Sequence, residues 1–153
     1  MIFYNRKTPR AQRYDYTSSW TYFVTICTKN RDNYFWKIEN EEIILSEIWK
    51  ICKNELKNML KKRSDVEIYN YVIMPNHIQH MLIYKWQKSY SLWSVIWWLK
   101  SAVSKCCKET NLEFGRQSRF YDNIVRDEYS YDTINKYIED NPKNWWKDKF
   151  YKY

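Results

Sequence analysis

The stretch Asp65–Trp86, "DVEIYNYVIMPNHIQHMLIYKW", narrows the fold more than any other part of this chain. It holds two runs rich in β-branched and aromatic residues, Asp65–Met74 and His77–Trp86, with only Pro75 and Asn76 between them. Such runs favour strands. Two residues of turn chemistry cannot carry a crossover, since parallel strands need a connection of a dozen residues or more. The two runs are therefore expected to pair antiparallel around a tight turn.

The same stretch carries both histidines of the chain, His77 and His80. Alternate side chains of a regular strand share a face, so His77 and Gln79 look one way while Ile78 and His80 look the other. Histidines at i and i+2 would offer two imidazoles to one ion; at i and i+3 they do not. Two arrangements still allow a metal site. A β-bulge would return His80 to the side of His77. Alternatively, the amide oxygen of Gln79 would serve as ligand to a hard cation such as magnesium.

Around this hairpin the pattern alternates between strand and helix periods. "WTYFVTICT" (Trp20–Thr28) reads as a strand. "ENEEIILSEIWKICKNELKNMLKK" (Glu39–Lys62) reads as one long amphipathic helix, with acids at its start and lysines at its end. Ser91 is placed to cap a second helix whose apolar face carries Leu92, Val95, Ile96, Leu99 and Val103. "SRFYDNIVRD" is a short strand candidate, and Asp127 caps a third helix that Pro142 is expected to end at Asn141. The order β-α-β-β-α-β-α predicts an α+β, ferredoxin-like sandwich: a four-stranded antiparallel sheet with helices on one face. At 153 residues the chain reads as a basic N-terminal arm (1–16) and a single domain (17–153).

Charge then points to the kind of partner. Lysine and arginine number 26 against 18 acids, for a net charge of +8. Aromatic residues make up 20% of the chain, many of them beside bases. Cations next to stacking faces suit a single-stranded nucleic acid. No segment has the length and apolarity of a bilayer span, the N-terminus lacks an export signal, and a cytoplasmic, nucleoid-associated protein is expected. Cys27, Cys52, Cys106 and Cys107 show no CxxC spacing, so they read as reduced thiols and not as a zinc-finger set.

Several ordered motifs carry a family resemblance. "YVIMPNHIQHMLI" resembles the "VMPNHVHLL" signature of REP-associated tyrosine transposases and their insertion-sequence-200-like relatives, the single-tyrosine HUH endonucleases, in which two histidines flank one hydrophobic residue. "SLWSVIWWLKSAVSK" resembles their "SLGxIVxxFKSxV" helix, and "QSRFYDNIVRDEYSYDTINKYIEDNPKNW" resembles their C-terminal region. The resemblance spans about 130 residues, and motifs agreeing in order are far more specific than one alone. It implies a nucleophilic tyrosine with a polar metal ligand four positions later, which here are Tyr137 and Asn141. An i, i+4 pair lies on one side of a helix.

The resemblance further implies a divalent ion, Mg2+ or Mn2+, held by His77, by Gln79 or His80, and by Asn141. It implies cleavage of single-stranded or hairpin DNA through a 5′-phosphotyrosine, and a homodimer. Arg119, Phe120, Tyr121 and Arg126 are candidate DNA contacts. Two further readings stay open: a relative that binds DNA hairpins without cutting, supported by Gln79, and an unrelated basic RNA-binding domain.

One compositional oddity remains. Glycine occurs once and tryptophan nine times, where usage of about 7% would give roughly ten glycines. Trp36, Trp93 and Trp97 stand where the family pattern has glycine or a small residue. UGA codons meaning glycine but read as tryptophan would produce this pattern, with overpacking expected where the rings are buried. UGG codons at those positions would sink the idea.

Overall fold

The computed structural model describes residues 21–85 and 91–152; the basic arm expected over 1–16 lies outside them. Six strands and three α-helices follow in order: β1 (Thr21–Cys27), β2 (Trp36–Glu39), β3 (Glu42–Leu45), α1 (Glu47–Lys62), β4 (Val66–Ile73), β5 (His77–Tyr84), α2 (Leu92–Glu109), β6 (Tyr121–Ile124) and α3 (Glu128–Asp140). The main sheet has the order β4-β5-β1-β6, and every pair in it is antiparallel. This is the expected α+β sandwich, with a separate β2-β3 hairpin inserted ahead of α1.

The hairpin read from Pro75-Asn76 closes as expected, with Met74 N–H donating to the His77 carbonyl at 2.8 Å. Its irregularity falls on the other strand. Strand β5 pairs without interruption from His77 to Tyr84, whereas β4 carries a bulge between Ile68 and Asn70. The extra residue, Tyr69, turns toward α3 and meets the Tyr131 ring edge-on at 5.0 Å. Just past the bulge, Asn70 donates to the side chain of Asn135 on α3 at 2.7 Å. Thus the bulge anchors a helix and does nothing to bring His80 round to His77.

Register divides the sheet residues into two sets. Val24, Ile26, Ile78, His80, Leu82, Tyr71 and Ile73 share one face. Helices α1 and α2 cover it with Cys52, Leu56, Val95, Ile96 and Leu99, all buried. Phe23, Thr25, Cys27, His77, Gln79 and Met81 share the opposite face, which α3 covers through Tyr131, Asn135 and Ile138. Helices therefore pack on both faces, not on one, because α3 has its own buried stripe at i, i+4 and i+7.

One boundary differs from the sequence reading, and another, the end of α3 at Asn141, is met but followed by a further turn. The expected helix Glu39–Lys62 begins only at Glu47, where Ser46 Oγ accepts from Trp49 N–H at 3.0 Å. Ahead of it, Asn40 (φ 50°) and Glu41 (φ 65°) form a turn that pairs β2 with β3. Two successive positive φ values match the right-handed twist of a two-residue hairpin. At the other end of the chain, Asn141 keeps helical angles despite preceding Pro142, and a 3-10 helix continues over Asn141–Lys147. Proline is tolerated in a first turn because its missing N–H would have had no intrahelical partner.

Of the three tryptophans in question, two lie at the surface and one in the core. Trp93 (59% exposed) and Trp97 (50% exposed) stack on each other outside α2, with ring centroids 6.2 Å apart. Trp36 is buried, but its indole N–H donates to the Ile73 carbonyl at 2.8 Å. Among the described residues no tryptophan occupies positive φ, so no backbone conformation at these sites demands glycine.

Candidate active site

Asn76 organises the N-terminal end of β5. Its side-chain N–H groups donate to the carbonyls of Arg31 at 3.0 Å and Phe150 at 2.7 Å. With both donors committed, its Oδ1 is left to face His77 Nδ1 at 2.9 Å. An amide oxygen only accepts, so Nδ1 carries the proton and Nε2 keeps its lone pair. That Nε2 is buried and has no hydrogen-bond partner among the described residues. Burial holds the imidazole neutral, pushing its pKa down to about 3, with Lys149 and Arg31 adding to the effect.

What Nε2 faces is Asp148, whose carboxylate Oδ2 lies 3.8 Å away with both side chains buried. That distance is too long for a hydrogen bond. The other carboxylate oxygen, Oδ1, accepts from Phe150 N–H at 2.7 Å. Asp148 sits just past the 3-10 helix, and its N–H donates to the Trp145 carbonyl. Phe150 then packs its ring 4.7 Å from the His77 ring.

Gln79, two residues along β5 on the same face, is buried and accepts from the Asn141 side-chain N–H at 2.6 Å. Asn141 is one turn beyond Tyr137, whose ring packs edge-on against Phe23 at 6.2 Å. The Tyr137 hydroxyl interacts with Gln79, Asp148 and Asn141, and its approach to Asp148 Oδ2 is long, 3.5 Å. Burial is the main influence keeping this phenol protonated, and the Asp148 charge adds to it, while Gln79 and Asn141 pull the other way. Tyr137 is still 41% exposed. It opens on a cleft of about 310 Å³ lined by Asp140, Asn141, Asn144, Lys147, Asp148 and Lys149.

The sequence-derived set is thus partly assembled. His77, Gln79, Tyr137 and Asn141 converge. His80 does not join them: with β5 regular, its side chain lies on the α1/α2 face between Val24 and Tyr71. Both of its ring nitrogens are buried without partners among the described residues, and burial alone pushes its pKa down to about 4. Of the two arrangements weighed from the sequence, the β5 bulge is absent, and Gln79 lies on the same face as His77.

Cys27 pairs with His77 across the strands, and burial raises its thiol to about 11. No group of three or more His, Cys, Asp or Glu side chains able to hold a metal occurs among the described residues. The oxygen-rich remainder, two amides and a carboxylate beside one imidazole, fits a hard cation better than zinc.

The four candidate DNA contacts spread along and around β6. Tyr121 is 52% exposed, with its ring 6.2 Å from Phe150, so an aromatic row runs from β6 to His77. Phe120 is half-buried against the core. Arg119 is exposed, and its carbonyl accepts from buried Lys100 at 3.2 Å. Arg126 is exposed at the far end of β6 from Tyr121. Two groups of the site are not marked by the sequence. Asn76 reads there only as a turn residue, and Asp148 sits in "KDKF", where nothing in the spacing singles it out.

Comparisons with known proteins agree with this architecture. A family model described as "Transposase IS200 like" matches residues 16–141. An uncharacterised protein of Haemophilus influenzae is 29% identical over 97% of this chain and 94% of its own length. A REP-associated tyrosine transposase bound to a REP hairpin superposes with a TM-score of 0.67 at 20% identity, covering 90% of this chain and 74% of that one. The crystal structure of a proposed transposase from Deinococcus radiodurans R1 gives a TM-score of 0.53 at 17% identity, over 88% and 96% of the two chains. These two likenesses speak to the fold. The family match covers well over half of the sequence, and on that ground the chain belongs to the IS200-like transposase family.

Proposed function

We propose that this protein cuts and rejoins single-stranded or hairpin DNA through a covalent bond to Tyr137. The observation that carries the reading is one cleft lined by Tyr137, Asn141 and Asp148, behind which buried Gln79 accepts from Asn141 and the Nε2 of His77 faces Asp148. The Tyr137 oxygen attacks the scissile phosphorus, forming a 5′-phosphotyrosine bond as the bond to the 3′ oxygen breaks. The tyrosine proton leaves to water at the open cleft, and the 3′ oxygen takes up a proton to become a hydroxyl. Bond energy is kept in the phosphotyrosine, so a 3′-OH can later reverse the step.

A neutral phenol, with its usual pKa of about 10, is a weak nucleophile, and here burial holds it protonated at rest. His77, Gln79 and Asn141 are the residues assigned to hold Mg2+ or Mn2+. When bound, such an ion supplies positive charge that polarises the phosphate and stabilises charge developing on it. Asn76 fixes the His77 tautomer so that the lone pair points into the site. Lys147 and Lys149 on the cleft wall attract the DNA backbone.

The test is incubation with a labelled hairpin-tailed single strand and Mg2+ or Mn2+. A denaturation-resistant protein–DNA adduct that disappears in Tyr137→Phe is expected. Closure of Gln79 onto Asn141 at 2.6 Å favours a second reading, a hairpin-binding relative that no longer cuts. Tight binding with no adduct under either metal would select it.

A further inference from the structure

We propose that Asp148 is an additional ligand to the divalent ion, adding a carboxylate to a donor set that otherwise holds one imidazole and two amide side chains. This rests on the reading that the cleft binds such an ion. The bonds of Asn76 leave His77 Nε2 as a lone pair, buried and without a hydrogen-bond partner among the described residues. Facing it at 3.8 Å is Asp148 Oδ2, also buried. A lone pair and a carboxylate oxygen confronting each other away from water are each electron-rich, and buried acceptors of this kind are costly unless something positive joins them.

In the neutral ring the single proton lies on Nδ1 toward Asn76, so Nε2 has none to offer Asp148. Tyr137 O–H reaches Oδ2 only at 3.5 Å and has Gln79 and Asn141 as other neighbours. A cation shared by Nε2 and Oδ2 satisfies both acceptors. The donor set also becomes chemically coherent: one imidazole, one carboxylate and two amide side chains suit an ion that prefers oxygen.

Asp148 is held for this role from its own side. Its N–H caps the 3-10 helix, and its Oδ1 is fixed by Phe150 N–H. The same Phe150 supplies the carbonyl that orients Asn76. One short segment after α3 therefore sets both halves of the His77–Asp148 pair.

The experiment measures Mn2+ binding to the full chain without DNA, by disappearance of the free-ion electron paramagnetic resonance signal. Wild type, Asp148→Asn and His77→Ala are compared. Asparagine keeps the acceptor for Phe150 N–H, so Asp148→Asn should retain the wild-type melting temperature. Its Mn2+ affinity should fall by about tenfold or more, the scale on which metal sites respond to removal of supporting groups.

Equal affinity in wild type and Asp148→Asn, with weakening only in His77→Ala, overturns the role of Asp148 and leaves the metal site standing. Absence of binding to wild type at millimolar Mn2+ overturns both. Should Asp148→Asn fail to fold, the side-chain carboxylate carbon of Asp148 is followed by NMR in wild type during Mg2+ titration. A saturable shift supports the assignment, and an unmoved resonance overturns it.

Discussion

His77 and His80 are three residues apart on one strand, equally buried and equally neutral, yet they have different surroundings. His80 lies on the face closed by α1 and α2, between Val24 and Tyr71, with neither ring nitrogen partnered among the described residues. His77 lies on the α3 face, with one nitrogen fixed by Asn76 and the other aimed at Asp148. Burial and a low pKa are common to both, so neither property marks a site. The difference is made by neighbours that orient one lone pair and set a counter-charge before it.

The largest effect should come from exchanging the two histidines' fates. His77→Ala is expected to reduce adduct formation by ~100-fold or more, since it removes a proposed metal ligand outright. His80→Leu should leave the rate within about threefold, because its side chain is on the other side of the sheet. Rates of covalent capture of labelled hairpin DNA decide between them. A severe drop in a well-folded His80→Leu protein would mean that His80 reaches the cleft after all.

Gln79→His sharpens the same comparison by putting a second imidazole on the side of His77, which His80 cannot provide. Imidazole favours later transition metals over Mn2+, so the preference for Ni2+ or Zn2+ over Mn2+ should rise by about tenfold. Competition titrations against Mn2+ measure it. An unchanged preference would remove Gln79 from the ligand set.

What the sequence makes legible depends on the range of the interaction. The β4–β5 hairpin rests on short-range spacing, and the convergence of His77, Gln79, Tyr137 and Asn141 rests on ordered motifs. Ser91 and Asp127 cap α2 and α3 as their residue types suggest. Ile43, Ile44 and Leu45 fit a helix on paper because an apolar run beside acids suits either period; the positive-φ turn at Asn40 and Glu41 is the feature that separates the two. Asp148 is illegible for a different reason. Its partner His77 is far away in sequence, and only the docking of the segment after α3 brings them together.

A smaller effect comes from acid. His80 in the fold has a pKa of about 4, against about 6.5 in an unfolded chain. Between those values the unfolded state binds the proton and the fold does not, so stability is full above pH 6.5 and falls as pH drops toward 4. His80→Leu should remove about half of the melting-temperature decrease over that interval, a matter of a few degrees. His77, shifted the same way, accounts for much of the remainder. Melting curves at pH 7.5, 6.0 and 4.5 read the slope. An identical slope in the variant would show that His80 is protonated within the fold.

The smallest expected effect lies at the mouth of the cleft and leaves both histidines alone. Lys147 and Lys149 are exposed, each with its ammonium over an aromatic ring: Lys147 4.5 Å from the centroid of Trp146, Lys149 4.9 Å from that of Phe150. Cations held there can meet a phosphate without ordering a free side chain, but they stay hydrated and screened. Replacing both with alanine should weaken hairpin DNA binding only a few-fold at moderate salt. The slope of log affinity against log salt should fall by about 2, one for each phosphate that is no longer neutralised. Mn2+ affinity should not fall, because neither ammonium can be a ligand. Weaker metal binding in that variant would mean that the lysines hold the Asp148 segment in place. The contrast between a built histidine and an unbuilt one would then extend to the cleft wall.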